Sequence, residues 1–243
     1  SMKKRRWFSL FLSFALLLPL FSLTSADAYE DFTLDAKAGL LIEANTGEIL
    51  YEKNAHQENF PASLTKVMVA LLVFEAIDEG KIALTDSVTA TESAFEGLSS
   101  DGSTANIVPG ETMTVEQLLN CMLIVSANEA CNILGETLCG SVDAFVARMN
   151  ERAAELGCEH THFANATGLH NSQHYTTAWD LYLITREALK HDKFMEICNS
   201  KSYTVPATNM TDKPRELHST NFLISNWRAR GYVYRDAQGI KTG

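Results

Sequence analysis

Three short clusters carry the residue types that acyl transfer needs. Ser63-Leu-Thr-Lys66 sets a hydroxyl and an amine three positions apart. On a helix, residues i and i+3 share a face, so the amine would lie beside the hydroxyl. Lys66 heads an apolar run, Val67-Met-Val-Ala-Leu-Leu-Val-Phe-Glu-Ala-Ile77, where a lysine is costly unless it is paired or neutral. A neutral amine is what a serine nucleophile requires of its base, and burial beside a second cation lowers a lysine's pKa. The plainer reading makes Ser63 only a helix cap. That reading leaves Lys66 unexplained.

The second cluster, Ser126-Ala-Asn128, follows the apolar stretch Leu118–Val125 and precedes another helical pattern. It could equally be a polar junction between two helices. The third, Lys241-Thr242-Gly243, lies in an extended piece, and its glycine suits a close backbone approach to a ligand. Singly, each cluster is weak. An S-x-x-K or S-x-N arises roughly once by chance in a chain of this size, and a K-T-G in roughly one chain in twenty. Ser219-Thr-Asn221 is a second S-x-N in the same chain.

The elements that must position these residues can be read from periodicity and turn chemistry. Two apolar runs around Asn45-Thr-Gly form a β-hairpin. The run from Val67 is apolar nearly all round, so it is a core helix that ends at Gly80. Helical patterns then dominate from about 85 to 200, over Thr114–Ile124, Glu129–Leu138, Val142–Leu156 and Thr177–Leu189. Thr114-Val-Glu-Gln and Ser141-Val-Asp supply helix caps. After Ser200 the pattern breaks into short extended pieces around Pro206 and Pro214, and Gly239–Gly243 is extended. Strands at both ends around a helical middle predict an α+β fold with the terminal strands in one antiparallel sheet. The sequence stops at Gly243 in what reads as a strand of that sheet, so the sheet's C-terminal strands are expected to be missing from this chain.

The N-terminus differs in kind. Lys3, Lys4, Arg5 and Arg6 precede an apolar stretch from Trp7 to Leu23, and Ala26-Asp-Ala28 follows. This reads as a secretory signal peptide over residues 1–28, with the mature part over 29–243 and export to the envelope or beyond. An uncleaved anchor is the rival reading, but Ser9, Ser13 and Pro19 interrupt a run that is short for a bilayer. Cleavage removes four basic residues and Asp27, taking the formal net charge from −10 to −13. That acidity argues against nucleic acid and against electrostatic docking on anionic lipid. The five cysteines are odd in number, so not all can pair internally. Cys121 and Cys131 read as buried thiols, with a Cys131–Cys139 disulfide as the alternative. Cys158, His160, His162, His170 and His174 cluster within a short stretch, but without a paired C-x-x-C or an H-E-x-x-H they read as loop residues. No metal and no cofactor are expected.

The three clusters, in this order and spread, resemble the serine penicillin-binding proteins and β-lactamases. The similarity is greatest to the low-molecular-weight D-alanyl-D-alanine carboxypeptidases. It extends over Ala38–Gly243 through Asn45-Thr-Gly-Glu-Ile-Leu, Pro61-Ala-Ser-Leu-Thr-Lys, Val125-Ser-Ala-Asn-Glu-Ala and Asn165-Ala-Thr-Gly-Leu-His. His174-Tyr-Thr-Thr-Ala-Trp-Asp, Arg215-Glu-Leu-His-Ser-Thr-Asn and Gly239-Ile-Lys-Thr-Gly continue it. The resemblance implies a β-lactamase-like α+β fold with no metal. It also implies Ser63 as nucleophile, Lys66 as base and Ser126 as proton relay. Asn128, Lys241, Thr242 and Gly243 would bind substrate, and Lys241 would help keep Lys66 neutral. The implied substrate is a peptidoglycan pentapeptide ending in D-Ala-D-Ala, with β-lactams as covalent inhibitors. One oxyanion donor would be the Ser63 N–H, and the other would lie two residues past Thr242. Ser219 is left structural. Within the same fold, a β-lactamase would need a water-activating loop glutamate that Glu155–Asn165 does not supply. A transpeptidase shares the first step, and a non-catalytic wall-binding or β-lactam-sensing module is the non-enzymatic alternative.

Overall fold

The computed structural model describes residues 33–243. The leader expected over residues 1–28 lies outside the described residues. Lys37–Gly243 make one compact unit.

The hairpin expected around Asn45-Thr-Gly is β1 (Gly39–Ile42) paired antiparallel with β2 (Ile49–Lys53). Its turn is closed by Glu43, whose carboxylate accepts from the Thr46 N–H at 2.6 Å and whose carbonyl accepts from Gly47 at 2.9 Å. A short 3-10 turn, Ala62–Thr65, then feeds helix α1 (Lys66–Asp78). Ser63 therefore stands one turn ahead of the α-helix and caps nothing with its side chain. Every α1 residue from Lys66 to Phe74 is buried, which its all-round apolar sequence requires.

Strands β3 (Ser87–Thr89) and β4 (Thr112–Thr114) pair inside the region expected to be helical. Helices α2 (Val115–Ile124), α3 (Asn128–Cys139), α4 (Val142–Glu155), α5 (Ala178–Ala188) and α6 (Asp192–Cys198) make up most of the rest. The caps fall where turn chemistry puts them. Thr114 accepts from the Gln117 N–H while the Gln117 side chain accepts from the Thr114 N–H, and Ser141 accepts from Ala144. The core helix α1 packs on α5 and α3, and α3 packs on α2 and α4. This arrangement holds the head of α1 and the start of α3 together.

The C-terminal third departs from expectation. β5 (Ser202–Val205) pairs with β6 (Arg215–His218) as a separate two-stranded sheet. Among the described residues there are three such pairs, and the N-terminal hairpin shares no ladder with residues 239–243. β1 and that segment border an apolar cavity of about 470 Å³, lined by Leu41, Ile42, Leu64, Val67 and Ile240 among others. Paired strands sit only ~4.8 Å apart. Side chains place the segment instead. Gly239 donates to Asn199 Oδ1 at 2.6 Å, its carbonyl accepts from Asn221 Nδ2 at 2.6 Å, and Thr242 and Thr220 share a hydroxyl contact at 2.6 Å.

Candidate active site

Ser63, Lys66, Ser126 and Asn128 converge, although 60 residues separate the first pair from the second. Lys66 is fully buried. Its Nζ lies 2.9 Å from Ser63 Oγ, 2.9 Å from Asn128 Oδ1 and 2.7 Å from the Thr167 carbonyl. Among the described residues no carboxylate pairs with it. Burial pushes the amine below the usual lysine range, and the nearby Cys131 and Glu129 oppose that shift. Desolvation is thus the leading cause, ahead of any second cation.

The influence expected of Lys241 on Lys66 is not among the causes of that shift, and the influence present runs from Lys66 onto Lys241. Lys241 is lowered to about 8, first by burial and then by Lys66. Lys241 Nζ donates to Ser126 Oγ at 3.0 Å and to the Thr242 carbonyl at 2.7 Å. The two hydroxyl–amine pairs, Ser63–Lys66 and Ser126–Lys241, are linked through the three-residue S-x-N segment. Ser126 adopts φ +64 at the junction of α2 and α3, a conformation non-glycine residues rarely hold. Ala62, just ahead of the nucleophile candidate, has φ +48. Such backbones persist where the surroundings over-determine them.

Here the surroundings are two loops that the sequence clusters did not assign. In the first, Asn165 Oδ1 accepts from the Thr167 N–H, the Thr167 hydroxyl and the Gly168 N–H, while its amide donates to Leu169. This aims the Thr167 carbonyl at Lys66. A Cβ on Gly168 (φ +87) would lie 1.9 Å from the Ala62 carbonyl oxygen, so only glycine fits. Gly243 approaches the same turn, and its Cβ would meet Leu64 and the Pro61 carbonyl at 3.0–3.1 Å. In the second loop, Glu129 is buried, and its Oε1 accepts from Thr104 Oγ1 at 2.7 Å, Ala105 N at 2.8 Å and Ile107 N at 3.3 Å. The Asn128 N–H donates to the Ser103 carbonyl. Residues 99–107 are thereby fastened beside Asn128. Between the two loops opens a cleft of about 350 Å³, bordered by Ser63, Ser103, Asn128, Gly168 and His170 among others.

His174 is also engaged. Nδ1 accepts from the Ala164 N–H at 2.9 Å, leaving Nε2–H to donate to Thr65 Oγ1 at 2.7 Å. Burial pushes its pKa down to about 4. The other members of the Cys/His cluster have separate partners. Cys158 contacts the Asp180 carbonyl, His160 faces Glu58, His162 contacts the Gln173 carbonyl, and His170 meets the Phe60 ring edge-on. All five cysteines are free thiols, so Cys131 and Cys139 are not joined. Burial raises Cys121 and Cys131 to about 12 and about 11. The Ser219 hydroxyl, of the second S-x-N, accepts from the Asn221 N–H, and among the described residues no lysine amine bonds it.

A family model described as Peptidase_S11, D-alanyl-D-alanine carboxypeptidase, matches residues 24–243. The chain belongs to this family. Among its relatives are the D-alanyl-D-alanine carboxypeptidases DacF of Bacillus subtilis, 39% identical over 209 residues, and DacA of Escherichia coli, 33% identical over 215. Each alignment covers 86% of this chain and 51% or 50% of the relative. The chain thus spans about half the length of these curated relatives. The Streptomyces K15 DD-transpeptidase superposes with a TM-score of 0.78 at 28% identity, covering 88% of this chain and 82% of that one. Penicillin-binding protein 5 from Haemophilus influenzae gives 0.73 at 29%, covering 81% and 55%. The fold of this S11 chain is therefore that of the penicillin-binding DD-peptidases, α+β with a helical middle.

Proposed function

We propose that this chain carries the catalytic machinery of an exported, serine-type D-alanyl-D-alanine carboxypeptidase. The observation that carries the reading is a fully buried lysine amine, depressed by desolvation and with no acid partner among the described residues, 2.9 Å from Ser63 Oγ. Neutral, the amine accepts the Ser63 proton while Oγ attacks the carbonyl of the penultimate D-alanine. Its remaining hydrogens stay bonded to Asn128 Oδ1 and the Thr167 carbonyl, which fix its lone pair toward Oγ. The Ser63 N–H donates to the oxyanion. The proton taken from Ser63 passes from Lys66 by way of Ser126, itself bonded to Lys241, to the leaving amine, and D-alanine departs. Water then attacks the ester and gives a proton to the neutral Lys66, which returns it to Oγ as the shortened peptide is released. Lys241 and Thr242 hold the terminal carboxylate, and Gly243 keeps that backbone close to the nucleophile turn.

The substrate is a peptidoglycan stem peptide, and β-lactams are acyl donors for the same serine. Export follows from the basic and apolar N-terminal leader. The test is D-alanine release from a peptide ending in D-Ala-D-Ala, with a D-Ala-L-Ala peptide as control. Release from the first alone is expected, and equal release from both would refute the assignment. The likeness to a protein named DD-transpeptidase supports a second outcome at the ester, attack by an amine. Added D-amino acid would then appear in the product in place of hydrolysis.

A further inference from the structure

The loop between Asn221 and Gly239 stands out on an acidic chain. Its neck is closed by the Asn221 amide on the Gly239 carbonyl, two residues before Lys241. Inside it, the Tyr234 N–H donates to Leu223. It is a compact excursion with joined ends, the build of an Ω-loop. It exposes Trp227, Tyr232 and Tyr234 at 63% each, with Leu223 at 50%, Val233 at 49% and Phe222 at 42%. Elsewhere among the described residues, Phe60 is the exposed aromatic of comparable size. Arg228, Arg230 and Arg235 are interleaved with these rings, against one acid, Asp236. Among the described residues no ion pair involves Arg228 or Arg230, and Arg235 approaches Asp236 only at 3.9 Å.

We propose that this loop docks the protein on an anionic phospholipid surface. Tryptophan and tyrosine favour the headgroup level of a bilayer, where the ring is in hydrocarbon and the polar edge is wet. The exposed Leu223, Val233 and Phe222 match acyl chains, whereas a sugar face would be matched by the rings alone. Guanidinium groups pair with lipid phosphate, and each basic residue near an anionic leaflet adds to the attraction. The complementarity is local. The whole sequence carries a formal −10 while this loop carries three arginines against one acid, so this face attracts an anionic surface that the net charge repels. Trp227 is held ready by stacking on His218, with ring centroids 3.7 Å apart and 12° between planes. The outcome is an oriented attachment beside the Lys241 segment.

The experiment uses vesicles of phosphatidylcholine alone and of equal phosphatidylcholine and phosphatidylglycerol, with brominated acyl chains that quench tryptophan. The signal is the difference between wild type and Trp227→Phe, which cancels Trp7 and Trp179. Quenching is expected only with phosphatidylglycerol, and it should fall in high salt, which shortens the Debye length. The double variant Arg228→Glu/Arg230→Glu should weaken partitioning by at least about tenfold. Its far-ultraviolet spectrum and its D-alanine release from a soluble peptide should stay unchanged. Four results would overturn the proposal. They are no Trp227 quenching with either vesicle, equal quenching with both, self-association that the double variant abolishes, or retention on purified cell-wall sacculi that depends on the loop while vesicles have no effect.

Discussion

At the scale of single residues, the account rests on which lysine is neutral and which is charged. Lys66 is depressed chiefly by burial, and Lys241 titrates near 8. The base works deprotonated, so acylation should rise with pH as Lys66 loses its proton. In the proposed mechanism the charged Lys241 holds the substrate carboxylate, so the rate should fall again as pH passes about 8. The kcat/KM profile with a penicillin is therefore bell-shaped. Lys241→Arg, which stays protonated, should remove the falling limb. A falling limb that survives this change would place it on another group. Lys66→Arg keeps a charge but offers no lone pair, and should slow acylation by orders of magnitude while folding survives. Near wild-type acylation would make Lys66 structural. The three clusters were legible because their residue types are chemically odd for their settings, above all a lysine at the head of a core helix. Asn165, Thr167 and Glu129 were not legible in that way. The first two act through the backbone, and Glu129 acts on a loop more than twenty residues away.

At the scale of elements, the site is a helix head and a helix start clamped by two loops. Glu129 offers three donors of the 99–107 loop one acceptor atom. Glu129→Ala leaves two buried backbone N–H groups unpaired, at about 1–3 kcal/mol each, and should release the loop. The expected effect is a KM raised roughly tenfold, with Glu129→Gln recovering most of it because the oxygen is kept. Equal losses in both variants, confined to kcat, would contradict a positioning role. Gly168→Ala should be far more damaging, since a methyl 1.9 Å from the Ala62 oxygen must displace the nucleophile turn. Helices α1 to α5 were readable because caps and periodicity are local signals. The β3–β4 ladder was not, because its three-residue strands are at least 23 positions apart. The 239–243 segment has a strand's sequence, yet side-chain bonds hold it without a ladder.

At the scale of the whole molecule, one buried histidine ties stability to pH. His174 is held neutral, with a folded pKa of about 4 against an ordinary 6.5. Below 6.5 the unfolded chain takes up a proton that the folded chain refuses until about 4, so stability is lost across that window as pH falls. Tm should drop between pH 6.5 and 4, and less steeply in His174→Gln. Equal slopes would remove His174 as a source. The larger claim is that α1, α3 and residues 239–243 assemble a serine acyl-transferase around Ser63. Intact-protein mass after exposure to penicillin tests it most directly, on wild type and Ser63→Ala at equal folded concentration. The account predicts one penicilloyl group on wild type, located to Ser63 by peptide mapping, and none on the variant. The same adduct on both proteins would contradict it.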